Sequence, residues 1–172
     1  PTTSWQHLHR VNDRLLQKFL HLPERRSRLI FDLDGTVVTV FGKQDGAEVG
    51  YNPKYRGKRS YNPLLCLEAN SSFLWDAELR AGNASPWESS PALLDTSFAT
   101  VPPDIRELRF RADAGFGFQP VLQELEDHDV RYAVVARLTT PLKNALRGLN
   151  YQRANARWEL AETEYRAHGW SH

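Results

Sequence analysis

Apolar residues between Trp5 and Leu22 fall at Leu8, Val11, Leu15, Leu16, Phe19 and Leu20, a helical spacing that gathers them on one face. Ser4 stands where an N-cap belongs, and Pro23 follows the predicted end. After Arg25, Arg26 and Arg28 the pattern changes. Leu29-Ile-Phe31 is a short apolar run that opens a predicted buried strand, and the run ends in Asp32-Leu-Asp34-Gly-Thr36. Gly42 to Asn62 is polar, clusters Gly, Pro, Lys and Arg, and predicts hairpin and loop. Two further strands are predicted over Ser60–Ala69 and Ser72–Arg80, with Asn70-Ser71 at the turn. A helix is expected from about Ser85-Pro86, where serine caps and proline suits the first turn, to a point before Pro102-Pro103.

Ile105–Arg111 predicts a strand that runs into Ala112-Asp113-Ala-Gly-Phe116. Gln119–Asp127 reads as a helix with Val121, Leu122 and Leu125 on one face, and Arg131–Leu138 as a short apolar strand. Thr140–Leu149 predicts another short helix, while Arg157–Arg166 fits helix or strand. The expected fold class is α/β: three antiparallel strands followed by alternating helices and strands, preceded by an N-terminal helix. That is the element order of an RNase H-like mixed sheet. Residues 1–27 form the expected helical lead-in and residues 28–172 the core.

The two acids that end the first strand carry the chemistry. Asp32 and Asp34 lie two apart, so on a strand they share one face. Buried and unpaired they would be costly, so a cation, a basic partner or open water must adjoin them. Asp113 ends the fourth strand in the same manner. Asp32 also fits a salt-bridged role beside Asp34, and Asp113 also fits a cap on the helix near Gln119, although Gly115 and Gly117 intervene.

Composition narrows the classes. The chain has 172 residues, 41% hydrophobic and 25% charged, enough for one core, and a formal charge of +1 gives no global bias toward nucleic acid. A dense basic run of Lys54, Arg56, Lys58 and Arg59, with Tyr51, Tyr55 and Tyr61 interleaved, gives a local one that suits DNA phosphates and bases. Cys66 is the single cysteine, so no intrachain disulfide forms, and its apolar neighbours predict a small buried strand residue. No apolar run reaches membrane length and no leader signal stands at the start, so the expected compartment is the cytoplasm, without membrane. The five tryptophans are scattered, as in core packing or surface anchoring, and His128 between Asp127 and Asp129 predicts a charged turn. His168 and His172 have no visible partner.

Two resemblances follow. Phe31-Asp-Leu-Asp-Gly-Thr-Val37 resembles the first motif of haloacid-dehalogenase-like phosphatases, which implies Asp32 as nucleophile. That likeness covers seven residues, and although Lys143 is available as the family lysine, no Asp-Asp or Glu-Asp pair follows it. From Leu29 onward the chain resembles the DDE transposases of bacterial insertion sequences. The matching stretches are Asp32–Thr36, Tyr51-Asn-Pro-Lys-Tyr-Arg-Gly-Lys-Arg-Ser-Tyr-Asn-Pro-Leu-Leu65 and Arg109-Phe-Arg-Ala-Asp-Ala-Gly-Phe116. The resemblance implies metal-dependent DNA strand cleavage and transfer with Asp34 and Asp113 as catalytic, metal-ligating acids, and Mg2+ or Mn2+ as cofactor. It implies double-stranded DNA at transposon ends and target as partner, contacted by Lys54, Arg56, Lys58 and Arg59, and a homodimer in the intact protein.

The family's third acid is a glutamate on a late helix. Glu159, Glu162 and Glu164 are the late acids here, in a stretch that reads as the approach to that helix. The expectation is therefore a piece of a longer chain that stops before the third acid and is inactive alone. A DNA-binding remnant without chemistry is the remaining alternative.

Overall fold

A computed structural model describes residues 4–20, 27–85 and 87–166. The positions discussed above at Leu22, Pro23, Arg25, Arg26, Pro86, His168, Trp170 and His172 lie outside them. The contacts divide the chain into two compact units, Pro1–Val135 and Ala136–His172.

The first unit is built on a five-stranded sheet. Its centre is β1 (Arg28–Gly35), where Leu29, Phe31 and Leu33 are buried and alternate with half-buried Ile30 and Asp32. This period-two pattern is what a strand with two unlike faces requires. Two short strands follow, β2 (Val38–Thr39) and β3 (Glu48–Val49), then β4 (Arg59–Tyr61), β5 (Leu64–Glu68) and β6 (Phe73–Glu78). After the helix α2 (Ser90–Ala99) comes β7 (Glu107–Ala112), and after α3 (Gln119–Asp127) comes β8 (Arg131–Val134). The main sheet runs β6-β5-β1-β7-β8. The β1/β5 and β5/β6 pairs are antiparallel, and the β1/β7 and β7/β8 pairs are parallel. This is the RNase H-like mixed sheet that the element order predicts. The strand expected over 60–69 breaks at Asn62-Pro63, because proline cannot donate to a ladder. Its first part joins a separate sheet, β2-β4-β3.

Three helices share one core with the Leu29 face. α1 (Ser4–Leu20) contributes Leu16 and Leu20, α2 contributes Leu93, Leu94 and Phe98, and α3 contributes Val121 and Leu125. Phe31 is fully buried between Trp75 and Phe98, with ring centroids 4.8 and 6.1 Å away. The helix expected from Ser85-Pro86 begins later: Ser89 is the N-cap and Pro91 occupies the first turn. A second Ser-Pro pair, Ser90-Pro91, carries the same local chemistry and wins. α3 coincides with the expected span, and its N-cap is Phe118, so Asp113 does not cap it.

The second unit holds α4 (Thr140–Leu146), capped by Thr139 whose side chain accepts from Leu142 N, and a hairpin of β9 (Gln152–Arg153) with β10 (Glu159–Leu160). The ambiguous stretch 157–166 is thus strand only at Glu159–Leu160, and residues 161–166 have no regular structure.

Candidate functional site

The parallel ladder between β1 and β7 pairs Arg28 with Glu107 and continues rung by rung to Leu33 with Ala112. One step further, Asp34 and Asp113 occupy equivalent positions at the carboxyl ends of neighbouring strands. Strand spacing puts their backbones roughly 5 Å apart. Both are exposed. Each is oriented by its own turn: Asp34 Oδ1 accepts the Gly35 N–H at 2.8 Å, and Asp113 Oδ1 accepts the Gly115 N–H at 2.8 Å. The second oxygen of each carboxylate takes no part in these bonds. Two neighbouring carboxylates with hard oxygen donors to spare suit a magnesium- or manganese-type ion.

Asp32, on the same strand face, is committed elsewhere. Arg111, its rung partner on β7, donates Nε to Asp32 Oδ1 at 2.7 Å and Nη2 to Oδ2 at 2.6 Å. Hydrogen bonding to Asp32, aided by its charge, raises the Arg111 guanidinium above its ordinary value. The pair removes one negative charge from the acid end. It also leaves no carboxylate oxygen of Asp32 clear of a guanidinium, which disfavours a phosphatase nucleophile there. The mixed sheet disfavours that enzyme class as well, since its fold alternates strand and helix.

The basic loop stands at the same end of the sheet. Asp34 and Gly35 pair with Leu65 and Leu64 of β5, and the Thr36 N–H donates to Pro63 O at 3.0 Å. The small sheet therefore springs from the acid end of β1 and β5. Asn52, buried, anchors the loop: its Nδ2 donates to Thr39 Oγ1 at 2.8 Å, and its Oδ1 accepts the Tyr55 N–H at 2.9 Å. Gly57, at φ +74°, turns the chain back toward β4 in a conformation that side chains rarely adopt. Lys54, Arg56 and Lys58 are exposed, with Lys54 Nζ 5.5 Å above the Tyr55 ring. Arg59 differs from them. It is half-buried, and its Nε donates to Ala47 O at 2.7 Å, tying β4 to the turn before β3. Tyr61 is likewise engaged, its hydroxyl donating to Asp45 O, whereas Tyr51 is 81% exposed.

Arg80 was not singled out by sequence reasoning. It is buried, donates Nε to Asn62 O at 3.1 Å and Nη1 to Ser85 O at 3.0 Å, and its guanidinium adjoins Gly35 beside Asp34. Burial lowers it from the ordinary arginine value. An arginine at the end of an apolar strand is the only sequence signal it offers. The late acids have no helical setting: Glu159 lies on β10 of the second unit, and Glu162 and Glu164 follow in irregular chain. No described helix is long and apolar enough to cross a membrane.

Comparison with known proteins adds a family. The model of "Transposase DDE domain group 1" matches residues 1–172. No curated protein matches the chain. Among solved structures, the chain is similar to piggyBac transposase in its synaptic complex with hairpin DNA (TM-score 0.48, 11% identity, 73% of this chain, 26% of that one). It is also similar to the Mos1 mariner paired-end complex with Mn (TM-score 0.42, 13% identity, 70% of this chain, 39% of that one). The chain thus spans well under half the length of either.

Proposed function

This chain belongs to the group 1 family of transposase DDE domains, and from that premise we propose that it forms part of the catalytic core for metal-dependent DNA cleavage and strand transfer. Asp34 and Asp113 are the two acids that hold divalent cations, magnesium or manganese. The observation that carries this reading is the β1/β7 register, which makes them neighbours although 79 positions separate them, the same separation as Asp32 and Arg111.

When bound, the cations supply Lewis-acid polarisation of the phosphodiester and activation of water or a 3′-hydroxyl. The chain's own residues prepare that site. Gly35 and Gly115 N–H groups each hold one carboxylate oxygen of the pair. Arg111 neutralises Asp32, which leaves Asp34 and Asp113 as the acids that would hold the ions. Lys54, Arg56 and Lys58 bind phosphates of double-stranded DNA led toward that end of the sheet, and Arg59 holds the loop that presents them. Two carboxylates do not complete the family's ligand set. Glu159, Glu162 and Glu164 lack the helical setting of the third acid, so we assign none of them that role.

Calorimetric titration with Mn2+ tests the proposal. One Mn2+-binding event is expected in the parent chain and in Asp32→Asn, and that event is expected to be lost from Asp34→Asn and Asp113→Asn. Equal binding in all four would overturn the assignment. Turnover of p-nitrophenyl phosphate abolished by Asp32→Asn would revive the phosphatase.

A further inference from the structure

Outside that site, a second group of ligating side chains lies on the helical layer. Among the described residues, Asp95, Glu124 and His128 are the set of three that brings one ligand atom each within 4.8 Å of the others. Asp95 belongs to α2; Glu124 is one turn back from His128, the C-cap of α3. His128 Nε2 stands 3.0 Å from Glu124 Oε1 and 3.4 Å from Asp95 Oδ1. The imidazole rests against Phe98 of α2, ring centroids 4.9 Å apart, which orients Nε2 between the carboxylates.

A simple ion pair accounts for this arrangement incompletely. One Nε2–H makes one good hydrogen bond, yet two carboxylates from different helices converge on it. Even a protonated imidazole leaves one negative charge in surplus. A divalent cation in place of that proton satisfies both carboxylates and uses the imidazole nitrogen as a lone-pair donor. We propose that Asp95, Glu124 and His128 bind a divalent transition metal, of the zinc type, and that the ion clamps α2 to α3. Zinc takes imidazole nitrogen and carboxylate oxygen ligands, and three protein ligands leave a further position for water. The imidazole favours zinc over magnesium, which prefers oxygen ligands. Asp127, next in sequence, is not part of the set, because it accepts from Gln123 Nε2 at 2.8 Å.

The test uses the whole 172-residue chain with Zn2+ or Co2+ alone. The expected results are one equivalent that still binds in the Asp34→Asn/Asp113→Asn double variant, a visible d–d band with Co2+, and a thermal midpoint that rises with Zn2+ and returns on adding EDTA. His128→Gln and Glu124→Gln should weaken binding by more than the roughly 10–100-fold that loss of a supporting partner costs. Asp95→Asn, which alters an exposed side chain, should weaken it too and serves if either of the others fails to fold. The Asp34→Asn/Asp113→Asn double variant should keep the Zn2+-dependent rise, so the two sites are told apart. Absence of a Zn2+-dependent rise in the parent chain, or a rise undiminished in Asp95→Asn and His128→Gln, overturns the proposal.

Discussion

Arg111 grips Asp32 through both guanidinium and carboxylate forks, at 2.7 and 2.6 Å, across one rung of the parallel ladder. The two groups are part-exposed, so the pair contributes about 1 kcal/mol or less despite its good geometry. Asp32→Asn is therefore expected to shift urea unfolding by no more than that while leaving Mn2+ affinity intact. A complete loss of Mn2+ binding in Asp32→Asn would move the ligand role from Asp34 to its neighbour two residues earlier.

The four basic residues of the loop should separate into two classes. Neutralising Lys54, Arg56 and Lys58 is expected to weaken binding to duplex DNA and to reduce the log K against log salt slope by about 0.9 for each phosphate no longer neutralised. Arg59→Gln gives up the bond to Ala47 O, so its main effect should be a lower thermal midpoint. Fluorescence anisotropy between 50 and 200 mM salt, on the order of the range where such slopes are read, distinguishes the classes.

Two glycines let the small sheet meet the turn after β6. A Cβ on Gly82 would fall 2.5 Å from Glu48 O and 2.6 Å from Ser60 O, and one on Gly50 would fall 2.7 Å from Asn83 Cα. Backbone cannot yield there cheaply. Gly82→Ala should cost about 1–3 kcal/mol or more, measured by denaturant titration. It should also loosen the basic loop, seen as faster amide exchange at Tyr55 and Lys58.

Glu68 is buried at the end of β5 and gathers donors from Ile30 N, Asn70 Nδ2, Ser71 N and Ser71 Oγ. Burial by itself would raise its carboxyl, but the bonds from Ser71 and Asn70 outweigh that and hold it below the ordinary 4.5. Its stabilisation is thus present above pH 4.5 and is lost as pH falls through the depressed folded value. Glu68→Gln should cost about 1–3 kcal/mol near neutral pH, because donors are left facing a donor, and the penalty should shrink in acid. Urea unfolding at several pH values measures both.

Cys66 is fully buried, and burial pushes its thiol up to about 12 from the ordinary 9.0. The folded state therefore favours the neutral thiol. This contribution is complete below pH 9.0 and declines as pH rises toward 12. A thiol reagent at about pH 8 should not label the native protein, and labelling should appear together with unfolding in urea.

Much of this was legible in the chain. The alternation across Leu29–Leu33 and the helical spacing over Gln119–Asp127 place β1 and α3, because one period dominates each segment. The element order also predicts the mixed sheet, and with it the acids at two strand ends. Local punctuation misleads where two equivalent signals compete, as at Ser85-Pro86 and Ser90-Pro91, or where a proline divides one apolar run into strands of different sheets. The role of Arg59 and the position of Arg80 were not legible, since both depend on backbone carbonyls supplied from distant turns. His128 gave a charged turn in sequence; the approach of Asp95 from another helix is a tertiary fact.

Because ladder register sets the Asp34 and Asp113 positions side by side, the surface turns between them are free to vary in length. An insertion at a surface turn there adds little closure entropy and leaves the two carboxylates in phase. Deleting a single residue within Glu107–Ala112 does the opposite: it flips Asp113 to the other side of the pleat and takes the partner away from Asp34 without altering either acid.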